Sequence, residues 1–344
     1  MKIKQWLVNA RQVALAQSVM PAVLAVSMAA GESGFHWYSA LLAVLGVACA
    51  HLAMNLADDY FDYKVDMLGD RDKVIRQGFR AMSRKYPYLT SGEEDLNSTA
   101  RAISCFIIVA LCCGAVIVAD RFISGVHFLG ENGLWWIFAI VAACAFLGVF
   151  YSAPPLKLAY RGFGELIIGF IFGPLLMMGV YYACCARVDA SIVMVSVPVG
   201  LLVLNILFTH SFIEKEGDKA SNKMTFARLL GSDKLNLLAS ALFIFLPFVL
   251  IVLAVVLKWL HPLNLLSLLV LPRGIWLFGT LVDFSRGKRI DIEKVPVWIG
   301  PVPEWNEVRS KKLDWFLGRW LCARNLLSGF CVLLMLAAIV CKFI

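Results

Sequence analysis

HLAMNLADDYFDYKVD, residues 51–66, decides how the rest of the chain is read. An apolar run reaches Asn55, and Asp58, Asp59, Asp62 and Asp66 follow it. On a helix, Asn55, Asp59, Asp62 and Asp66 recur at spacings of four, three and four, so they share a face. Carboxylates at that spacing repel one another and weaken a bare helix. A hard divalent cation, Mg²⁺ above all, reverses the sign, because it takes carboxylate oxygens and keeps open positions for a diphosphate. The competing reading is a solvated helix end at a membrane surface, where acidic side chains need no special reason.

Composition sets the environment. The 344-residue chain is 60% hydrophobic and 16% charged, whereas soluble domains run at about 45–50% apolar and about 25% charged. The excess comes in blocks of about 20 residues, the length of a membrane helix, so the chain reads as an all-α polytopic membrane protein. Its 23 Phe and 10 Trp suit lipid-facing and interfacial positions. The formal charge of +8 does not point to nucleic acid. The basic residues fall between apolar blocks, where they set orientation and attract anionic membrane lipid. The ten cysteines, Cys112, Cys113, Cys144, Cys184 and Cys185 among them, lie mostly in apolar stretches and read as packing residues.

The blocks predict nine spans, at about 10–30, 36–57, 100–119, 133–151, 163–185, 190–210, 235–257, 263–282 and 321–341. They form one transmembrane domain over 1–344, with polar segments at about 57–98, 152–162, 211–234 and 283–319. The cationic start MKIKQWLVNARQ runs into the first span without a small-residue cleavage site and reads as a membrane helix. With the N-terminus inside, the four polar segments hold most of the Lys and Arg. The outer links hold little beyond Arg121, Arg187 and Lys258. The N-terminus and the motif loops are therefore expected on the cytoplasmic side of a bacterial inner membrane. Arg273, in LPRGIW, falls inside the eighth span, which requires an interior-facing side chain or a helix broken at Pro272. Residues 291–309 mix Trp and Pro with charge and read as an irregular interfacial stretch.

A second acidic comb lies in THSFIEKEGDKASNKMTFARLLG, residues 209–231. His210, Glu214 and Asp218 are spaced by four and four, on one helical face. Two acidic faces at the inner ends of two spans could meet across a cavity and hold two or three Mg²⁺ ions against a diphosphate. Direct neutralisation of that anion falls to Lys64, Arg71, Lys73, Lys157, Arg161, Lys219 and Lys223. Asp59, Asp62, Glu214 and Asp218 are the candidate catalytic carboxylates, and Asn55 joins them as a metal ligand. Asp58, Asp66, Tyr151 and His210 stand behind them. Residues 214–223 also fit a solvated mixed-charge helix, Lys157 and Arg161 fit topology control, and Tyr151 and Tyr160 fit interfacial anchoring.

These stretches resemble the UbiA superfamily of intramembrane aromatic prenyltransferases, and within it the 1,4-dihydroxy-2-naphthoate polyprenyltransferases of menaquinone synthesis. NLADDYFDYK at 55–64 resembles the first Asp-rich motif, with Asn55, Asp59 and Asp62 at its metal-binding positions. YSAPPLKLAYRGFGEL at 151–166 resembles the family segment after the fourth span, and FIEKEGDKASNKMTFARLLG at 212–231 the second motif. The resemblance implies nine helices around a central cavity open to lipid. It also implies Mg²⁺-dependent transfer of a chain from a polyprenyl diphosphate to a small aromatic acceptor. Several positions depart from the family pattern: Asp58 stands for Asn, Glu214 for Asp, and His210, Ile213 and Asn222 for other residues. They leave other acceptors open, namely 4-hydroxybenzoate, homogentisate, a tetrapyrrole or a lipid headgroup. A transporter or channel using the same acidic helix ends is the rival from another class.

Overall fold

The computed structural model describes residues 3–66, 86–220, 224–288, 295–300, 306, 310 and 314–343. Among them are nine helices long and apolar enough to cross a membrane. They are α1 (Gln12–Ala29), α2 (Trp37–Asp66), α3 (Leu96–Ile123), α4 (Trp135–Ser152), α5 (Gly164–Cys185), α6 (Ala190–Ile213), α7 (Asp233–Val256), α8 (Pro262–Ser285) and α9 (Asp314–Val340). Each matches an expected span. The largest departures lie at α2, which stays helical through the acidic stretch to Asp66, and at α9, which starts several residues early. The described residues form no strand beyond one isolated backbone bridge, Arg161 to Met224.

Helix α6 is the hub. It packs against α5, α7 and α9 and is buried along most of its length, whereas α3 and α4 are largely exposed. The α5–α6 contact rests on glycine. A Cβ on Gly173 would come within 2.4 Å of the Gly200 Cα, and one on Gly200 within 2.6 Å of the Gly169 carbonyl oxygen. Helices in lipid gain little from apolar burial against each other, so close backbone approach at small residues supplies the packing. Pro174 sits beside this contact in a widened π-helical turn, Ile171–Leu175. Proline cannot donate the usual backbone bond, and that turn absorbs the irregularity.

The eighth span changes character where Pro272 suggested it would. Pro262–Val270 is a 3₁₀-helix, and an α-helix runs from Leu271. Arg273 faces protein rather than lipid: its Nε donates to the Trp298 carbonyl at 2.9 Å and its Nη1 to that of Asn325 at 3.0 Å. Asn325 in turn donates from Nδ2 to the Ile299 carbonyl at 3.2 Å, and Ile299 is fully buried. Residues 295–300 thus dock on the bundle through Ile299, while Val297 and Trp298 stay exposed. At 1.5 Å per residue, the level of Arg273 is about 18 Å from the Ser285 end of α8. Irregular backbone is tolerated at such depth only where protein satisfies it.

The ten cysteines are all unpaired, and six are buried, as a packing role requires. Side-chain caps set several helix starts. Asp95 and Ser98 form a reciprocal capping box on α3, Asp189 accepts from the Ser191 and Ile192 amides on α6, and Ser232 accepts from that of Leu235 on α7.

If the α5–α6 contact holds the bundle, Gly173→Val and Gly200→Val will each destabilise the detergent-solubilised protein by about 1–3 kcal/mol, the range for overpacking. Gly114→Ala, where nothing lies within 4 Å of an added Cβ, will leave the thermal midpoint unchanged.

Candidate active site

The first acidic comb is helical, as its spacing required, and it points inward. Asp59 is fully buried, Asp62 is 5% exposed and Asp58 is partly covered. The partner that the sequence reading missed is Arg11, just before α1. Its Nη2 lies 3.2 Å from the Asp59 Oδ1 and 3.7 Å from the Asp58 Oδ2, and it donates to the Asn55 carbonyl at 3.0 Å. Burial pulls the Arg11 pKa down, but the charges of Asp59 and Asp58 outweigh it and hold the guanidinium above its ordinary value. Asn55 donates from Nδ2 to the Ala10 carbonyl at 2.9 Å. This amide therefore ties the N-terminal segment to α2.

A small separate core seats these groups. Trp6, Ala10, Leu52, Leu56, Tyr86 and Tyr88 pack together, with Trp6 edge-on to Tyr88. The Tyr88 hydroxyl donates to the Asp59 Oδ2 at 3.2 Å. Burial, then the charge of Asp59, pushes the Tyr88 phenol well above its ordinary pKa, so it stays a donor.

The link after α4 closes over the same carboxylates. The Ser152 Oγ donates to the Asp58 Oδ1 at 2.7 Å, and the Tyr160 hydroxyl donates to the Asp62 Oδ1. Lys157 adopts a left-handed backbone, φ 45°, immediately before the turn Leu158–Tyr160 that carries this tyrosine. Tyr160 is thus a carboxylate partner, not an interfacial anchor. Tyr151 packs against the main core, with its hydroxyl beside Gly164. The Arg161 side chain is exposed and donates to the Pro155 carbonyl at 3.4 Å, while its backbone bridges to Met224. Gly162 has φ 86°, and a Cβ there would press on Leu229 at 3.3 Å.

This link also reaches the second comb. Glu165, in the first turn of α5 and 4% exposed, accepts from the Phe226 amide through both oxygens, at 3.2 and 3.3 Å. Helix α6 ends at Ile213, Glu214 forms a turn, and a short helix covers Lys215–Ala220. The helical step survives the interruption, because the Glu214 amide bonds the His210 carbonyl at 3.0 Å and the Asp218 amide bonds that of Glu214 at 2.9 Å. Glu214 and Asp218 are 7% and 6% exposed. His210 Nε2 lies 3.4 Å from the Glu214 Oε2, with its ring edge-on to Phe316. Arg228 donates to the Asp218 carbonyl at 3.3 Å. Both combs therefore lie at one end of the bundle, joined through residues 152–165.

The expected cations separate into groups. Lys64 is exposed and folds back on Tyr60, 2.7 Å from its hydroxyl and 4.3 Å over its ring. Lys219 is exposed and Lys157 partly so. Arg71, Lys73 and Lys223 lie outside the described residues, as does the side chain of Asp66. Among the described residues, no three His, Cys, Asp or Glu side chains are grouped closely enough to hold a metal ion by themselves. Residues that sequence reasoning left out of the site are Arg11, Tyr88, Ser152, Tyr160, Glu165 and Arg228. Ser152, Tyr160 and Glu165 lie in the quoted link, Arg228 lies in the second motif and Arg11 stands alone before an apolar run, whereas Tyr88 carried no local signal.

With the geometry in place, comparison with known proteins gives the family. The UbiA prenyltransferase family matches residues 18–294. The 1,4-dihydroxy-2-naphthoate octaprenyltransferase of Mycobacterium tuberculosis is 25% identical over 238 residues, covering 69% of this chain and 74% of that protein. The 2-carboxy-1,4-naphthoquinone phytyltransferase of Synechocystis is 28% identical over 247 residues, covering 70% and 72%. Among solved structures, a UbiA homolog from Archaeoglobus fulgidus bound to GPP and Mg²⁺ aligns with a TM-score of 0.57 at 16% identity, over 97% of this chain and 99% of that one. A structure described for digeranylgeranylglyceryl phosphate synthase aligns with a TM-score of 0.59 at 17% identity, over 98% and 99%. At these identities the structural likeness establishes the fold alone. The family match covers most of the chain, and the chain belongs to the UbiA prenyltransferase family as a multi-pass membrane enzyme.

Proposed function

We propose that this enzyme transfers a polyprenyl chain from its diphosphate to 1,4-dihydroxy-2-naphthoate, with loss of CO₂, in menaquinone biosynthesis. The site would face the cytoplasm from a bacterial inner membrane, and residues 1–344 would act as one transmembrane unit. The observation that carries the reading is the burial of Asp59, Asp62, Glu214 and Asp218 at one end of an apolar bundle. The naphthoate and naphthoquinone relatives support the acceptor class, and the fold neighbour with GPP and Mg²⁺ supports the donor class.

The donor set suits Mg²⁺. The groups are hard oxygens, and too few stand together among the described residues to complete a coordination shell. Mg²⁺ characteristically completes its shell with water and substrate phosphate. Asp59 and Asp62, with Asn55 beside them, would hold one ion group, and Glu214 and Asp218 the other. When bound, Mg²⁺ supplies neutralisation of the diphosphate and of the negative charge that grows as it leaves.

The protein's own groups do the rest. Arg11, Tyr88, Ser152 and Tyr160 fix the first carboxylates, while Glu165 and Arg228 brace the second motif. Lys157 and Arg161, on the link between the motifs, are proposed to meet the anion together with Arg71, Lys73 and Lys223. The apolar tail lies along the spans or passes into lipid, each buried methylene favouring binding by about 0.8 kcal/mol. In the reaction the bond from the allylic carbon to oxygen breaks, its electron pair leaving on the diphosphate. A ring carbon of the acceptor bonds to that allylic carbon, and the ring carboxylate departs as CO₂, returning its electron pair to the ring. Exclusion of water protects the allylic centre from hydrolysis.

The test is a membrane assay with Mg²⁺, a set of allylic diphosphates and a panel of aromatic acids, read by mass detection of prenylated product. Asp59→Asn and Asp218→Asn are each expected to lower turnover by orders of magnitude while membrane insertion is unchanged. Wild-type turnover in either variant would overturn the assignment. Tyr160→Phe removes one hydrogen bond to a buried carboxylate and is expected to raise the donor KM by about tenfold, the scale of a charged hydrogen bond. An unchanged donor KM would take Tyr160 out of the site.

A further inference from the structure

None of the contacts that assemble the acidic end uses His51. It lies on the same stripe of α2 as Asn55, Asp58 and Asp62, one turn further into the bundle. At 1.5 Å per residue it stands about 6 Å beyond Asn55 and about 10 Å beyond Asp58. The side chain is 4% exposed. Its Nδ1 is 2.7 Å from the Oγ of Ser18 on α1, and its ring tilts against Phe172, in the π-helical turn of α5, with centroids 4.8 Å apart.

The Ser18 hydroxyl has two partners for one hydrogen. The Ser18 hydroxyl donates to the Leu15 carbonyl at 3.2 Å. A hydroxyl carries one hydrogen; in the arrangement that spends it on Leu15, the imidazole donates to the Ser18 Oγ and Nε2 keeps its lone pair. The Ser18 contact is the one side-chain hydrogen bond His51 makes among the described residues. In that arrangement a hydrogen-bond acceptor is held beside an aromatic face, buried one turn inside the carboxylates.

That level is where the acceptor has to lie. With the diphosphate at the acidic end and an apolar tail behind it, the allylic carbon sits on the interior side of the head group. The attacking ring must stand next to it. We propose that His51 Nε2 accepts a hydrogen bond from a ring hydroxyl of the aromatic acceptor, and that Phe172 sets the plane of that ring. His51 is then an acceptor-binding residue that selects planar, hydroxylated rings. The proposal rests on the prenyl-transfer reading above and adds the groups that recognise the acceptor.

The experiment uses membranes holding the full chain, with Mg²⁺, an allylic diphosphate, 1,4-dihydroxy-2-naphthoate and each of its two monomethyl ethers. His51→Phe keeps a ring and removes the lone pair. Its KM for the dihydroxy acceptor is expected to rise about tenfold, the scale of one lost hydrogen bond, with the donor KM unchanged. One of the two ethers, unable to donate at that position, should be used equally well by wild type and variant. His51→Gln, which retains an acceptor oxygen, should recover part of the loss. The proposal is overturned by an unchanged acceptor KM, by equal loss on all three acceptors, or by a donor KM that rises in step. If His51→Phe does not insert, Ser18→Ala decides instead: a raised acceptor KM at constant donor KM supports the proposal, and no change overturns it. Absence of product from wild type with any aromatic acceptor would overturn the prenyl-transfer reading along with it, which separates the two failures.

Discussion

Four carboxylates buried at one end of an apolar helix bundle are the constraint on which the rest of this structure depends. Removing an ion from water carries a penalty of several kcal/mol even after relaxation, and the partners of the first comb, with Asp58 beside it, show how that penalty is offset. Arg11 meets Asp58 and Asp59, Tyr88 and Tyr160 donate to Asp59 and Asp62, and Ser152 donates to Asp58. These partners come from the N-terminal segment, the turn before α3 and the link after α4. Three pieces remote in sequence are drawn to one helix end by charge, and their own apolar residues, Trp6 and Tyr88 among them, then pack into a small core.

The transmembrane packing decides which loops can meet there. Gly169, Gly173 and Gly200 let α5 and α6 approach at backbone distance. That approach sets the start of α5, with Glu165, against the segment that follows α6, where Glu165 caps the Phe226 amide. On α5 the turn beside this contact also sets Phe172 against His51 of α2. A glycine contact deep in the membrane thereby governs the position of polar groups at its edge.

Much of this was legible in the chain. Hydropathy blocks gave nine spans because a helix in lipid must satisfy its own backbone and needs about 20 apolar residues to cross. Both combs were legible because the spacing of Asn55, Asp59, Asp62 and of His210, Glu214, Asp218 is a local helical property. Illegible features were those set by distant partners. Nothing near Arg11 in the sequence names Asp59, and nothing near Tyr160 names Asp62. The apolar block ends at about residue 57, but the helical spacing of the comb runs on, and α2 continues to Asp66 with Arg11, Tyr88 and Tyr160 on its acidic face. Arg273 is conspicuous in the sequence as a charge inside a span, but its acceptors, the Trp298 and Asn325 carbonyls, follow only from the docking of residues 295–300 on the bundle.

The most direct measurement is a crystal or cryo-microscopy structure of the enzyme with Mn²⁺ and a non-reactive allylic diphosphate analogue, the metals located by anomalous scattering or density. Metal density is expected against Asp59 and Asp62 and against Glu214 and Asp218, with the diphosphate between the two groups. A diphosphate held by basic side chains alone, with no metal at either carboxylate pair, would contradict that arrangement.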